Sequence, residues 1–167
     1  VIVALYNCEH YITECLDSLQ SQTFSDFEAI VVDDCSTDNG LALAKRTVQE
    51  DTRFRFLDMP VNSGQGAARN RALDAARGSI VVLLDADDLL APQALERIAE
   101  RFERQQLDDL YFNAESFYED AEAYSRVVED FSRRDDFDGV AAGTELFTFF
   151  ENRGQFFPHG ALRAVSR

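Results

Sequence analysis

Four short apolar runs, separated by stretches of helical periodicity, constrain this chain more than any other feature. The runs are residues 1–5, 28–32, 54–57 and 79–84. Three of them run into polar clusters: Tyr6-Asn7, Asp33-Asp34, and Asp85-Ala86-Asp87-Asp88. Between the first two runs, Tyr11, Ile12, Cys15, Leu16 and Leu19 recur at helical spacing. Ser36, Thr37, Asp38 and Asn39 offer N-cap residues for a helix carrying Leu41, Ala44 and Val48. Asn62-Ser63-Gly64-Gln65-Gly66 reads as a flexible loop feeding an alanine-rich helix over 67–76, with Gly78 as its C-cap. Pro92 marks another helix start, with Leu95, Ile98, Ala99 and Phe102 on one face. Continuously apolar strands alternating with helices predict an α/β fold, a Rossmann-like, mostly parallel sheet with helices on both faces. Ligands of such sheets bind beyond the carboxyl ends of the strands, so the three polar clusters are the places to look.

The second half is less regular. Residues 110–114 read as a further strand, and 115–138 as an acidic excursion with a solvated face. Residues 144–152 read as a helix carrying Leu146, Phe147, Phe149 and Phe150. At 167 residues and 46% hydrophobic content, one well-buried domain is expected. The opening on Val1-Ile2-Val3-Ala4-Leu5 reads as the middle of a buried strand, so both ends are expected to be trimmed. No apolar run approaches the ~20 residues needed to cross a bilayer, and no secretory signal opens the sequence. A net charge of −15 disfavours nucleic acid and anionic membrane over most of the surface. Cys8, Cys15 and Cys35 form no C-x-x-C pair and read as core or near-core residues in a reducing compartment. With only His10 and His159 to assist, they do not suggest zinc.

Asp85-Ala86-Asp87 is the sharpest chemical feature. Neighbouring carboxylates ~4 Å apart repel by about 4 kcal/mol at an effective dielectric of ~20. A hard divalent cation offsets that repulsion and also holds a diphosphate. Asp-x-Asp also arises by chance in solvated loops and helix caps, and its position after a buried strand is what gives it weight. Asp33-Asp34 could accept a hydrogen bond from a nucleobase or serve a helix-capping turn. Tyr6 could stack on a base or pack on the sheet. Arg69, near a helix start, could meet a phosphate or pair with a surface acid. Gly64-Gln65-Gly66-Ala67-Ala68-Arg69 is a poor dinucleotide fingerprint, because it ends in arginine and follows the third strand. Neither histidine has a serine or cysteine partner at recognisable spacing, so no nucleophilic triad is supported.

Taken in order, these pieces resemble glycosyltransferase family 2. The set comprises Tyr6-Asn7, the segment from Tyr11 to Leu19, Gln22-Thr23-Phe24, and Val31-Val32-Asp33-Asp34-Cys35-Ser36-Thr37-Asp38. Asn62-Ser63-Gly64, Ala68-Arg69-Asn70 and Leu84-Asp85-Ala86-Asp87-Asp88 complete it. The likeness covers residues 1 to about 104, which would form the half that binds the sugar donor. Residues 105–167 would begin an acceptor-side half, within one domain overall.

The resemblance implies a GT-A fold and a nucleoside-diphosphate-sugar donor, most often a UDP-sugar. It also implies a metal-dependent, inverting transfer to a glycan or lipid-linked acceptor. Ala4, Leu5 and Tyr6 would flank the base, and Asp34 would bond its edge. Arg69 and Ala86 would belong to the same substrate site. Asp85 would approach the ribose or the metal shell, and Asp87 would coordinate Mn²⁺ or Mg²⁺. A cytoplasmic protein is expected, with peripheral contact at the inner membrane face for a lipid-linked acceptor. The family often has a proline before its Tyr-Asn, where this chain has Ala4-Leu5. Its catalytic carboxylate follows the region similar to 156–167, so the base is expected outside this chain. Glu129-Asp130 comes too early.

Three other classes compete. A haloacid-dehalogenase-like phosphotransferase would carry its Asp-x-Asp on the first strand. A nucleotidyltransferase would show a glycine-rich loop with a basic residue there, where this chain has Tyr6-Asn7-Cys8-Glu9. A nucleotide-binding module without turnover would keep the fold and the clusters alike.

Overall fold

The structure, a computed structural model, describes residues 1–111 and 163–166. The helix expected over 144–152, the acidic excursion, Glu129-Asp130 and His159 lie outside the described residues. Val1–Leu110 and Arg163–Arg167 form one compact unit.

Every strand and helix expected in the first hundred residues is present. The elements are β1 (Ile2–Leu5), α1 (Ile12–Gln20), β2 (Ala29–Asp33), α2 (Gly40–Thr47) and β3 (Phe54–Asp58). They continue with α3 (Gln65–Ala75), β4 (Ile80–Asp85), α4 (Ala94–Gln105), β5 (Asp109–Tyr111) and β6 (Arg163–Ser166). The strand order is β3-β2-β1-β4-β6-β5. β1 runs parallel to β2 and β4, and β2 parallel to β3. β6 returns antiparallel beside β4, with Val81 opposite Val165. The chain steps outward from β1 to β3 and then crosses back to β4, which creates a topological switch point between the carboxyl ends of β1 and β4.

Alternation along the strands explains the two buried faces. Ile2, Ile30, Val32 and Val81 share a core with Ala68 and Ala72 of α3. The small alanines let that helix lie close to the sheet. Val3, Leu5 and Val31 point the other way and are fully buried as well. On that side the outward crossovers require α1 and α2, which pack together. α1 contributes Ile12, Cys15, Leu16 and Leu19, all without exposure.

One local expectation is corrected and one is refined. α3 ends at Ala75 with Ala76 extended (φ −68°, ψ 146°), so Gly78 is not a left-handed C-cap. Of the four capping residues offered for α2, Asp38 rather than Asn39 supplies the side-chain bond. Asp38 Oδ1 accepts the Gly40 N–H (2.9 Å), and Glu9 Oε2 accepts the Asn39 N–H (3.0 Å). A Cβ at Gly40 would lie 3.0 Å from Asp38 Oδ1, so any larger residue would push that capping carboxylate aside by a few tenths of an ångström.

α4 is tied to α1 by polar side chains. Buried Gln22 donates to the carbonyls of Ser18 (3.0 Å) and Ala91 (2.8 Å) and accepts the Leu95 N–H (3.0 Å). Ser18 Oγ accepts the Leu90 N–H (3.1 Å), and the Thr23 N–H donates to the Pro92 carbonyl (2.9 Å). Gln22→Ala would strand the Leu95 N–H and the Ala91 carbonyl. A loss of about 2 kcal/mol in urea denaturation is expected.

The lower rim is held by ion pairs. Arg53 binds Asp51 (2.6 Å) and stacks over Phe27 (4.5 Å), while Arg55 binds Glu28 (2.9 Å). The hydrogen bonds from Arg53 hold the Asp51 carboxyl below its ordinary value of 3.8, against an opposing cost of burial. The folded-state value is the lower one. Its stabilisation is therefore complete above the unfolded value and is lost as pH falls through the folded one. Asp51→Asn is expected to cost stability at neutral pH. That difference should shrink as pH falls below the ordinary value of 3.8 and through the lower folded-state value, as read from acid-denaturation curves.

Candidate donor-binding site

The site is built at the switch point, where β1, β2 and β4 end within register of one another: Ala4 lies opposite both Val32 and Asp85, and Leu5 opposite Asp33. The loop after β1 and the loop after β2 interlock. Asn7 takes a left-handed backbone (φ 52°), which asparagine tolerates better than most residues. Its N–H donates to Ser36 Oγ (3.1 Å), and its Oδ1 accepts the Thr37 N–H (2.8 Å). The Glu9 N–H donates to Asp38 Oδ2 (2.9 Å). This clasp fixes the backbone on both sides of Tyr6, whose side chain is 47% exposed at the rim.

Asp34 is 2% exposed, and both its carboxylate oxygens are engaged. Oδ1 accepts the Ser63 N–H (2.8 Å) and Oδ2 the Gly64 N–H (2.7 Å). A residue of β2's end thus anchors the loop that leads into α3. Gly64 sits at φ 85°, which glycine supplies without strain. Asp33 is likewise buried, and its carboxylate receives the Ser36 N–H. Each carboxylate oxygen has two acceptor sites, so Asp34 can still take a further donor.

Asp85 ends β4. Its Oδ1 accepts from Arg69 Nη2 (2.6 Å) and Gln65 Nε2 (2.8 Å), both on α3. The Asp85–Arg69 pair is largely shielded, with 27% and 16% side-chain exposure. Asp87 differs. It is exposed, and no hydrogen bond from a described residue engages its carboxylate. The turn between the two is closed by the Asp88 N–H donating to the Asp85 carbonyl (3.0 Å).

Leu5 and Ala86 contribute backbone only, since their side chains are buried in the core. Ala4 is half-buried on β1. His10 stands away on the surface with 81% side-chain exposure. Cys8 and Cys15 lie under the acidic turn. Burial first, and then the neighbouring carboxylates of Asp87 and Asp38 for Cys8 and of Asp88 and Asp87 for Cys15, push both thiols up. They stay protonated at neutral pH.

A divalent cation fits this arrangement in a limited way. Among the described residues no group of three or more His, Cys, Asp and Glu side chains could hold a metal. Within the described residues, one carboxylate without a hydrogen-bond partner beside a paired one matches the habit of Mg²⁺-like ions, which take one or two carboxylates and fill the rest of their shell with water and phosphate oxygens.

This is the architecture of the GT-A glycosyltransferases, a Rossmann-like sheet with an acidic turn at the switch point. The profile of Glycosyl transferase family 2 matches residues 1–165, and the chain belongs to that family. It is 39% identical over 108 residues to the uncharacterized glycosyltransferase EpsJ of Bacillus subtilis, covering 65% of this chain and 31% of that protein. It is 42% identical over 103 residues to the teichoic acid poly(glycerol phosphate) polymerase of Staphylococcus epidermidis, covering 61% of this chain and 14% of the relative. Among solved structures, TarS 1-349 of S. aureus in complex with UDP superposes with a TM-score of 0.67 at 35% identity, over 71% of this chain and 36% of that one. The mannosyltransferase PcManGT of Pyrobaculum calidifontis, solved with GDP-Man and Mn2+, shares the fold over 99% of this chain and 43% of its own, with a TM-score of 0.68 at 22% identity. The chain thus spans about a third of EpsJ and of TarS 1-349. Among the described residues no helix is long and apolar enough to cross a membrane.

Sequence reasoning missed the Gln22 tie, the two-oxygen anchoring by Asp34, and the return of β6. Gln22 and Thr23 were visible as part of the family pattern, but nothing in their spacing announced a structural task.

Proposed function

We propose that this chain is the donor-binding part of an inverting, metal-dependent glycosyltransferase that uses a nucleoside-diphosphate sugar, UDP-linked in the first instance. The observation that carries the reading is the exposed Asp87 carboxylate at the end of β4, which no hydrogen bond from a described residue engages, beside an Asp85 held in place by α3. The likeness to TarS, whose structures include complexes with UDP and with UDP-GlcNAc, supports the choice of nucleotide.

In this reading Tyr6 offers its exposed ring to one face of the base, with Ala4 and Leu5 below it. Asp34 shapes the neighbouring loop and lends its remaining acceptor capacity to the base edge. Ala86 gives the diphosphate a close backbone approach between Asp85 and Asp87. Arg69 and Asp85 border the ribose and diphosphate. Asp87, with Asp85 behind it, would hold Mn²⁺ or Mg²⁺; bound there, the ion supplies positive charge against the departing nucleoside diphosphate. The acceptor, a glycan or lipid-linked glycan, presents a hydroxyl that attacks the anomeric carbon in line as a carboxylate takes its proton. No residue of this chain is assigned that last role. A lipid-linked acceptor would bring the protein to the membrane surface from the cytoplasmic side.

The test is nucleotide release from a panel of UDP- and GDP-sugars by the intact protein, with a lipid-linked glycan acceptor. Acceptor-dependent release from a UDP-sugar, stopped by EDTA, is expected. Release from no nucleotide sugar, under any metal condition, would remove the reading in favour of a binding module without turnover.

A further inference from the structure

We propose that Arg69 is a positioning residue that acts through Asp85 and makes cation binding at Asp87 depend on a diphosphate already being present. The inference rests on the donor-site reading above and goes beyond it by assigning Arg69 an electrostatic task.

Three observations converge. Arg69 Nη2 donates to Asp85 Oδ1 at 2.6 Å, in a pair that solvent reaches poorly. Gln65 Nε2, one turn earlier on α3, donates to the same oxygen at 2.8 Å, so the carboxylate is locked in orientation as well as neutralised. Among the described residues nothing supplies a third ligand beside Asp85 and Asp87. Among the described residues a cation is therefore offered Asp87 and an Asp85 already neutralised by the Arg69 guanidinium. A bare divalent ion is repelled by that guanidinium and gains little from Asp85.

A bound diphosphate reverses the balance. Its oxygens provide the missing ligands, and its negative charge is attracted to the Arg69 guanidinium that repels the lone ion. Arg69 thus opposes the cation alone and favours the cation with its diphosphate. By linkage, the nucleotide and the metal must then raise each other's affinity by one common factor. A purely structural ion pair would not separate these effects, since its loss would weaken both forms of binding together.

The experiment follows free Mn²⁺ by electron paramagnetic resonance as it is titrated into the intact protein, without nucleotide and with saturating UDP. In Arg69→Met, bare Mn²⁺ affinity is expected to rise about tenfold while the factor linking Mn²⁺ and UDP falls by a similar amount. Arg69→Lys keeps the charge and should retain most of the wild-type behaviour. Should Arg69→Met fail to fold by circular dichroism, Arg69→Gln carries the same expectation, because it can still donate to Asp85 while losing the charge. Bare Mn²⁺ affinity that is unchanged or weaker in the folded neutral variant would overturn the inference. So would Arg69→Lys matching the neutral variant. A wild-type protein that binds no UDP at any Mn²⁺ concentration would instead bring down the donor-site reading, while tighter bare Mn²⁺ binding in Arg69→Met would still uphold the repulsion assigned to Arg69.

Discussion

Asp87→Ala will lower transfer from a UDP-sugar by about 1,000-fold in the intact enzyme, the loss of roughly 4 kcal/mol of transition-state stabilisation. The reason is local. Asp87 is exposed, and no hydrogen bond from a described residue engages its carboxylate. Its removal therefore costs the fold almost nothing, so thermal stability should stay within about 0.5 kcal/mol of wild type. Asp85 is a poor substitute for it, because Arg69 neutralises that carboxylate and shares its Oδ1 with Gln65. The measurement is steady-state nucleotide release with Mn²⁺ present, beside a melting curve. A variant that keeps its turnover would show that the acidic turn is a solvated loop.

Asp34→Ala is expected to have the second-largest effect, and it acts through the fold first. Its two oxygens accept the Ser63 and Gly64 N–H groups at 2.8 and 2.7 Å from a position only 2% exposed. Truncation strands two backbone donors and frees the entry to α3. A destabilisation of about 3 kcal/mol is expected, since hydrogen bonds to a charged acceptor contribute about 1.5–3 kcal/mol each and relief of the buried charge offsets part of the loss. Asp34→Asn should fare little better. The carboxamide accepts one N–H but turns its NH2 toward the other, setting donor against donor. Urea denaturation of the two variants checks this, and UDP affinity should fall at least tenfold in both as the loop loosens. An Asp34→Asn protein as stable as wild type would contradict the anchoring geometry.

The sheet and its helices were legible because their signal is local. Continuous apolar runs mark strands buried on both faces, and Ile12, Cys15, Leu16 and Leu19 mark a helix with one dry face. The place of the candidate site in the fold followed from topology, since Asp85 to Asp88 had to lie beyond a carboxyl end. What the sequence did not reveal is how the loops are held. Gln22 meets Ala91 and Leu95, Asp34 meets Ser63 and Gly64, and Asn7 meets Thr37. These are side-chain-to-backbone bonds between distant segments, and no periodicity records them. Arg69 was read as facing either a phosphate or an acid; the acid it meets is Asp85 of the motif itself. β6 was missed because a strand that enters the sheet between β4 and β5 from far beyond α4 leaves no local mark. Gly78 misled because glycine after a helix suggests a left-handed cap, whereas Ala76 simply extends.

The central claim is that the ends of β1, β2 and β4 form a metal-assisted site for a nucleoside diphosphate. Calorimetric titration of UDP into the protein, with Mn²⁺ and then with EDTA, tests it most directly, with GDP as the control. The account predicts binding that needs Mn²⁺ and favours UDP over GDP. Absence of binding by either nucleotide under both conditions, in a folded and intact protein, would contradict it.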